Sequence, residues 1–106
     1  MTAPVSTLRQ LYSKGEVHEM CFYLFDANPP NPTADDVFLV KRQAMNVYTR
    51  TLETRMSEED WQTESETLNN LLTNYDLSFN ANQWYANGYS DPWSQKQRNE
   101  VWKLKV

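Results

Sequence analysis

The chain is poor in the residues that make chemistry easy to find. It holds one cysteine, Cys21, and one histidine, His18, among 106 residues. A single cysteine makes no internal disulfide and reads as a free thiol in a reducing compartment. His18 and Cys21 would share a face if they lay on a helix and would offer two metal ligands. A zinc site takes three or four, and the sequence has no further histidine or cysteine, so carboxylates such as Glu16 or Asp26 would have to complete it. The same pair as nucleophile and base has no third residue to orient the imidazole, so the expectation is no metal, no cofactor and no catalytic site. Two glycines, Gly15 and Gly88, exclude a glycine-rich phosphate loop and argue against a many-turned β-sandwich.

Long apolar runs are also missing. None approaches the roughly 20 residues that span a bilayer. The N-terminal stretch lacks a basic segment followed by an apolar one, so no secretory signal is expected. Asn31-Pro32-Thr33 is no glycosylation acceptor, because proline stands in the middle. These absences read as a soluble, cytoplasmic protein with no membrane association. At 106 residues, one domain with its own core is expected.

Positive charge is absent from Met56 to Gln95, where Glu58, Glu59, Asp60, Glu64, Glu66, Asp76 and Asp91 stand alone. Lys96, Arg98, Lys103 and Lys105 then outnumber Glu100 in the last eleven residues, within a net charge of −4. That balance disfavours general nucleic-acid binding. An acidic middle and a basic end suit a basic protein partner or a second copy of the same chain.

Aromatic residues are plentiful and clustered. Tyr75, Phe79, Trp84, Tyr85, Tyr89, Trp93 and Trp102 place half of the aromatic side chains in one C-terminal stretch. Tyr and Trp dominate protein–protein hot spots, so Trp84, Tyr85, Tyr89 and Trp93 are candidate partner-binding residues. Glu58, Glu59, Asp60 and Glu64 form a candidate acidic face, and Lys96 and Arg98 interleave cations with the rings. The same interleaving would stack single-stranded bases, which gives a nucleic-acid reading of 93–106. Asp91-Pro92-Trp93 resembles the short peptide bound by clathrin-adaptor appendage domains; it occurs once.

Apolar spacing predicts helices over 5–13 (Val5, Leu8, Leu11, Tyr12) and 16–25 (Val17, Met20, Cys21, Leu24). Lys14-Gly15 is read as a helix end. Asn28-Pro29-Pro30-Asn31-Pro32 is a stiff connector. Val37, Val40, Ala44, Val47, Tyr48, Thr51 and Leu52 predict a long helix over 34–55. Ser57, with Asp60 three residues on, predicts the cap of a helix over 57–74 whose apolar face is Trp61, Leu68, Leu71, Leu72 and Tyr75. Helices 34–55 and 57–74 would then pack as a hairpin, with basic Lys41, Arg42, Arg50 and Arg55 set against Glu58, Glu59 and Glu64. A last helix is expected over 94–103, with Asn87-Gly88 closing a small β-hairpin near 84–90 as the alternative for the preceding stretch. The sequence therefore reads as a mostly α bundle of four to five helices with an irregular aromatic C-terminal segment. The function it favours is non-catalytic protein binding, as an inhibitor or adaptor of phage or mobile-element type. A self-assembling virion subunit is the alternative.

Overall fold

The fold comes from a computed structural model that describes residues 4–24, 26–89 and 97–106. Its organising element is a five-stranded antiparallel sheet of order β2-β1-β4-β5-β3. The strands are β1 (Val5–Tyr12), β2 (Gly15–Phe22), β3 (Val47–Leu52), β4 (Gln83–Gly88) and β5 (Asn99–Leu104). One helix, α1 (Glu58–Asn74), packs on one face. The helical-bundle expectation is thus overturned.

Four of the five expected helices are replaced. Within the stretches 5–13 and 16–25, Val5–Tyr12 and Gly15–Phe22 form the β1–β2 hairpin, with Tyr12 opposite Gly15, and position 25 lies outside the described residues. Ser13 and Lys14 make its two-residue turn, and Gly15 at φ 129° takes a backbone conformation that side chains disfavour. Gly15 therefore serves a hairpin turn, not a helix end. The stretch 34–55 is an extended connector followed by β3, whose Val47, Tyr48, Thr49 and Thr51 are strand formers. No helix or strand interrupts the described residues between Phe22 and Val47, and the prolines lie there as expected. Within 94–103 the described part is strand β5, and 94–96 fall outside the described residues. Asn87-Gly88 closes no hairpin: both lie inside β4, paired with β1 on one side and β5 on the other.

The periodicity misled because several deeply buried sheet positions are polar. In β1 the buried residues are Ser6 and Arg9, while Leu11 and Tyr12 are exposed. Asn87, Asn99, Glu100 and Lys103 are buried in β4 and β5. A chain whose sheet interior is part polar carries no clean alternation, and its apolar residues fall at helical spacings by accident.

The helix over 57–74 is present. Ser57 accepts from the Asp60 amide at 3.1 Å and the Asp60 carboxylate accepts from the Ser57 amide at 3.0 Å, a complete capping box. Ser57→Ala is expected to cost about 1 kcal/mol, read as a lower urea midpoint with an unchanged slope. Leu68 and Leu72 are buried against Trp84, Ala86 and Val101, with Tyr48, Leu52, Trp61 and Phe79 packed around them. Leu71 and Tyr75, expected on the apolar face, are exposed. The helix turns its apolar side to the sheet rather than to a second helix.

Candidate functional site

Cross-strand partners place side chains on the same face of an antiparallel sheet. The register therefore aligns Glu16 with Leu11, His18 with Arg9, and Arg9 with Trp84, all on the side covered by α1. Beside the helix start these residues build one polar cluster. The Arg9 guanidinium is buried and grips Glu58 with two bonds of 2.6 and 2.7 Å. It also donates to Glu16 at 3.3 Å and lies 4.7 Å from the Trp84 ring centre. Glu16 accepts from Gln62 at 3.0 Å and from the Trp84 indole at 3.1 Å. His18 Nε2 stands 2.7 Å from Glu16 Oε1. Lys103 sits on the far side of Trp84, 5.0 Å from its ring centre.

The charges respond to this arrangement. The Arg9 hydrogen bonds hold the Glu58 carboxyl down at about 2. Burial pushes Glu16 up, but hydrogen bonds from His18, Trp84 and Gln62 and the charge of Arg9 outweigh it, leaving it below the usual range. An ionised carboxylate only accepts, so His18 Nε2 donates toward Glu16, and in the neutral imidazole Nδ1 is the nitrogen with the lone pair.

Glu16, His18 and Glu58 each bring a ligand atom within 4.8 Å of the others. Arg9 already occupies that position as the cation, with both Glu58 oxygens engaged, so a free metal ion would have to displace a guanidinium. His18 and Cys21 do not share a face: in a strand an odd spacing puts them on opposite sides.

The partner-binding residues expected from sequence are not brought together. Trp84 and Tyr85 are both buried and face opposite sides of the sheet. Tyr85 packs edge-on against Trp102 and under Arg42. Tyr89 is half-buried beneath Arg98, which also donates to Glu100 at 3.0 Å. Glu58 belongs to the Arg9 cluster, Asp60 to the helix cap, and Glu64 pairs with Arg50 at 2.6 Å. Glu59 is exposed in the first turn of α1. Trp93 and Lys96 lie outside the described residues, as does all of Asp91-Pro92-Trp93. Of the anticipated pairing between basic and acidic groups, the Arg50–Glu64 and Arg9–Glu58 contacts are present, although Arg9 had not been assigned to it.

Sequence reasoning named Glu16 beside His18 but missed Arg9 and Lys103. Neither carries a local motif; only the strand register brings them to this cluster. It also missed the free edge. Strand β2 borders the sheet, and His18, Met20 and Phe22 alternate onto one face of it. Met20 is 63% and Phe22 69% exposed. Val17 is exposed on the other face, and Val37, Phe38, Leu39 and Val40 form an exposed apolar run in the connector. No helix among the described residues is long and apolar enough to cross a membrane.

The chain resembles curated proteins over most of its length. It is 36% identical over 78 residues to mouse heme-binding protein 2, covering 73% of this chain and 38% of that protein. Over a stretch of the same length it is 32% identical to the human heme-binding protein 2. The chain thus spans well under half the length of these relatives. A family model described as the SOUL heme-binding protein matches residues 1–104. These matches replace the inhibitor, adaptor, phage, virion and nucleic-acid readings with a family described by binding, not by catalysis. The chain belongs to the SOUL heme-binding protein family.

Proposed function

We propose that this chain binds heme on the exposed edge of its sheet, with His18 as the residue that would hold its iron. The observation that carries the reading is the Glu16–His18 pair beside exposed Met20 and Phe22, in a chain of a heme-binding family. Metal-binding histidines commonly donate their second ring N–H to a carboxylate, which fixes the tautomer and raises ligand basicity. Glu16 stands to His18 in that relation, and Nδ1 is the nitrogen left to bind. The donor set therefore fits a heme iron.

Among the described residues, the cavity beneath α1 is small for the macrocycle: it has a volume of about 170 Å³ and walls of mixed polar and apolar side chains. Ligand pockets for drug-sized molecules run about 300–1,000 Å³ and are mostly apolar. Exposed apolar side chains beside His18 are the better match, since exposed apolar patches mark binding surfaces. Bound heme would supply a redox-active iron whose potential its axial ligand tunes. Met20 and Phe22 would shield the ring from water, and Glu16 would hold the imidazole in place.

Hemin titration followed by Soret absorbance tests the reading. Saturable one-to-one binding is expected, with His18→Ala weakening it by about tenfold or more and changing the spectrum of the bound iron. Met20→Asp should weaken binding without altering that spectrum. Absence of saturable binding by the native chain would remove the reading. Unchanged binding and spectrum in His18→Ala would remove the assignment of His18.

A further inference from the structure

The cavity beneath α1 shares Glu16 with the His18 site, and the heme reading leaves its Lys103 unused. Glu16, Gln62, Ser65, Asn69, Trp84 and Lys103 line it. Lys103 is 2% exposed. Its Nζ donates to Ser65 Oγ at 2.6 Å and faces the Trp84 ring. An ammonium has three hydrogens to give. No carboxylate forms an ion pair with Lys103 among the described residues. Asn69 Oδ1 is buried with no hydrogen-bond donor. The cavity thus holds an amine short of acceptors among polar side chains.

We propose that Lys103 is a reactive amine that captures small neutral hydroxyaldehydes in this cavity as an imine. Three observations define the ligand. The volume of about 170 Å³ is close to the ~150 Å³ of a cavity that takes benzene, so the guest has few heavy atoms. Glu16 and Glu66 on the walls disfavour an anion. The polar lining side chains Gln62, Ser65 and Asn69 suit a hydroxyl, and the amine needs an electrophilic carbon. A two- or three-carbon aldehyde bearing a hydroxyl meets all three conditions.

The nitrogen lone pair of neutral Lys103 attacks the carbonyl carbon, and the C=O π electrons pass to oxygen, which gains a proton. The resulting carbinolamine loses its hydroxyl as water while nitrogen gives up its hydrogen and forms C=N. One amine and one aldehyde yield one imine and one water, with no oxidant or reductant. Burial supports the first step: it pushes the Lys103 ammonium down to about 8, against the opposing charge of Glu16.

The test uses the intact chain, glycolaldehyde as probe and cyanoborohydride to reduce any imine to a stable secondary amine. Peptide mass mapping reads the site and the rate. Lys103 is expected to react about tenfold faster than exposed Lys14, Lys41 and Lys105 at pH 7. That preference should vanish in urea, and acetaldehyde, which lacks the hydroxyl, should label Lys103 more slowly. Labelling of Lys103 no faster than the exposed lysines would overturn the proposal. So would a preference that survives unfolding, because it would then owe nothing to the cavity. Equal rates for the two aldehydes would overturn the assignment of hydroxyaldehydes as the ligand class.

Discussion

Trp84→Ala is expected to lower stability by about 4 kcal/mol, because it empties a buried indole site in the only core cluster among the described residues. Domains of this size are stable by roughly 5–15 kcal/mol, so this one change removes a large share of the total. More than volume is lost. The indole N–H donates to Glu16 at 3.1 Å, and both Arg9 and Lys103 lie within about 5 Å of the ring, at 4.7 and 5.0 Å. Without the ring, Glu16 loses a donor, and the two cations lose the π face between them. Trp84→Phe keeps a ring and loses the N–H, and should cost about 1–3 kcal/mol. Urea denaturation followed by far-UV circular dichroism separates the variants. An unchanged midpoint in Trp84→Ala would place the residue outside the core, as its grouping with a docking patch had implied.

Arg9→Met should cost about 2–3 kcal/mol at pH 7. Breaking a buried ion pair costs about 3–5 kcal/mol when a charge is left stranded. Here the Arg9 side chain is 6% exposed but that of Glu58 is 60% exposed, so solvent rescues one partner and the loss is smaller. Glu16 keeps its bonds from His18, Trp84 and Gln62 but loses the Arg9 bond and the Arg9 charge.

This loss has a pH signature. Glu58 is held at about 2 in the folded chain against an ordinary 4.5, so the folded state resists its protonation. Between those values the unfolded chain binds more protons. The contribution is therefore complete above about 4.5 and disappears as pH falls toward 2. Glu16 and Glu100, also lowered, act in the same direction. The native chain should lose stability steeply through that acid window. Arg9→Met should lose less, because its Glu58 no longer has a lowered value to give up. The difference between the two proteins should narrow from pH 5 to pH 2 in urea titrations. A constant difference would mean that Arg9 acts by packing alone.

The legible parts of the chain were those whose signal is local. Ser57 and Asp60 predict the helix start because a capping box needs only four consecutive residues. Three prolines within four positions predict a connector wherever they stand. The bundle reading failed at β1, where Val5, Leu8, Leu11 and Tyr12 match a helical spacing while Ser6 and Arg9, on opposite faces of the strand, are the buried residues. It failed again at β5, where Lys103, counted as part of a basic end, is buried. Hydropathy assigns such residues to the surface. Only partners from distant parts of the chain, Glu58 for Arg9 and Ser65 for Lys103, make their burial tolerable.

The sequence alone determined the capped helix, the proline connector, the charge layout and, through its likeness to known chains, the family. Tertiary structure decided the sheet, the burial of Trp84 and Tyr85, the pairing of Glu16 with His18 and the cavity around Lys103. The reason is sequence separation. Caps and turns are settled within a few residues, whereas a sheet of order β2-β1-β4-β5-β3 joins segments up to 83 positions apart, as where Val5 faces Gly88. No local pattern in Arg9 or Trp84 encodes that they will meet.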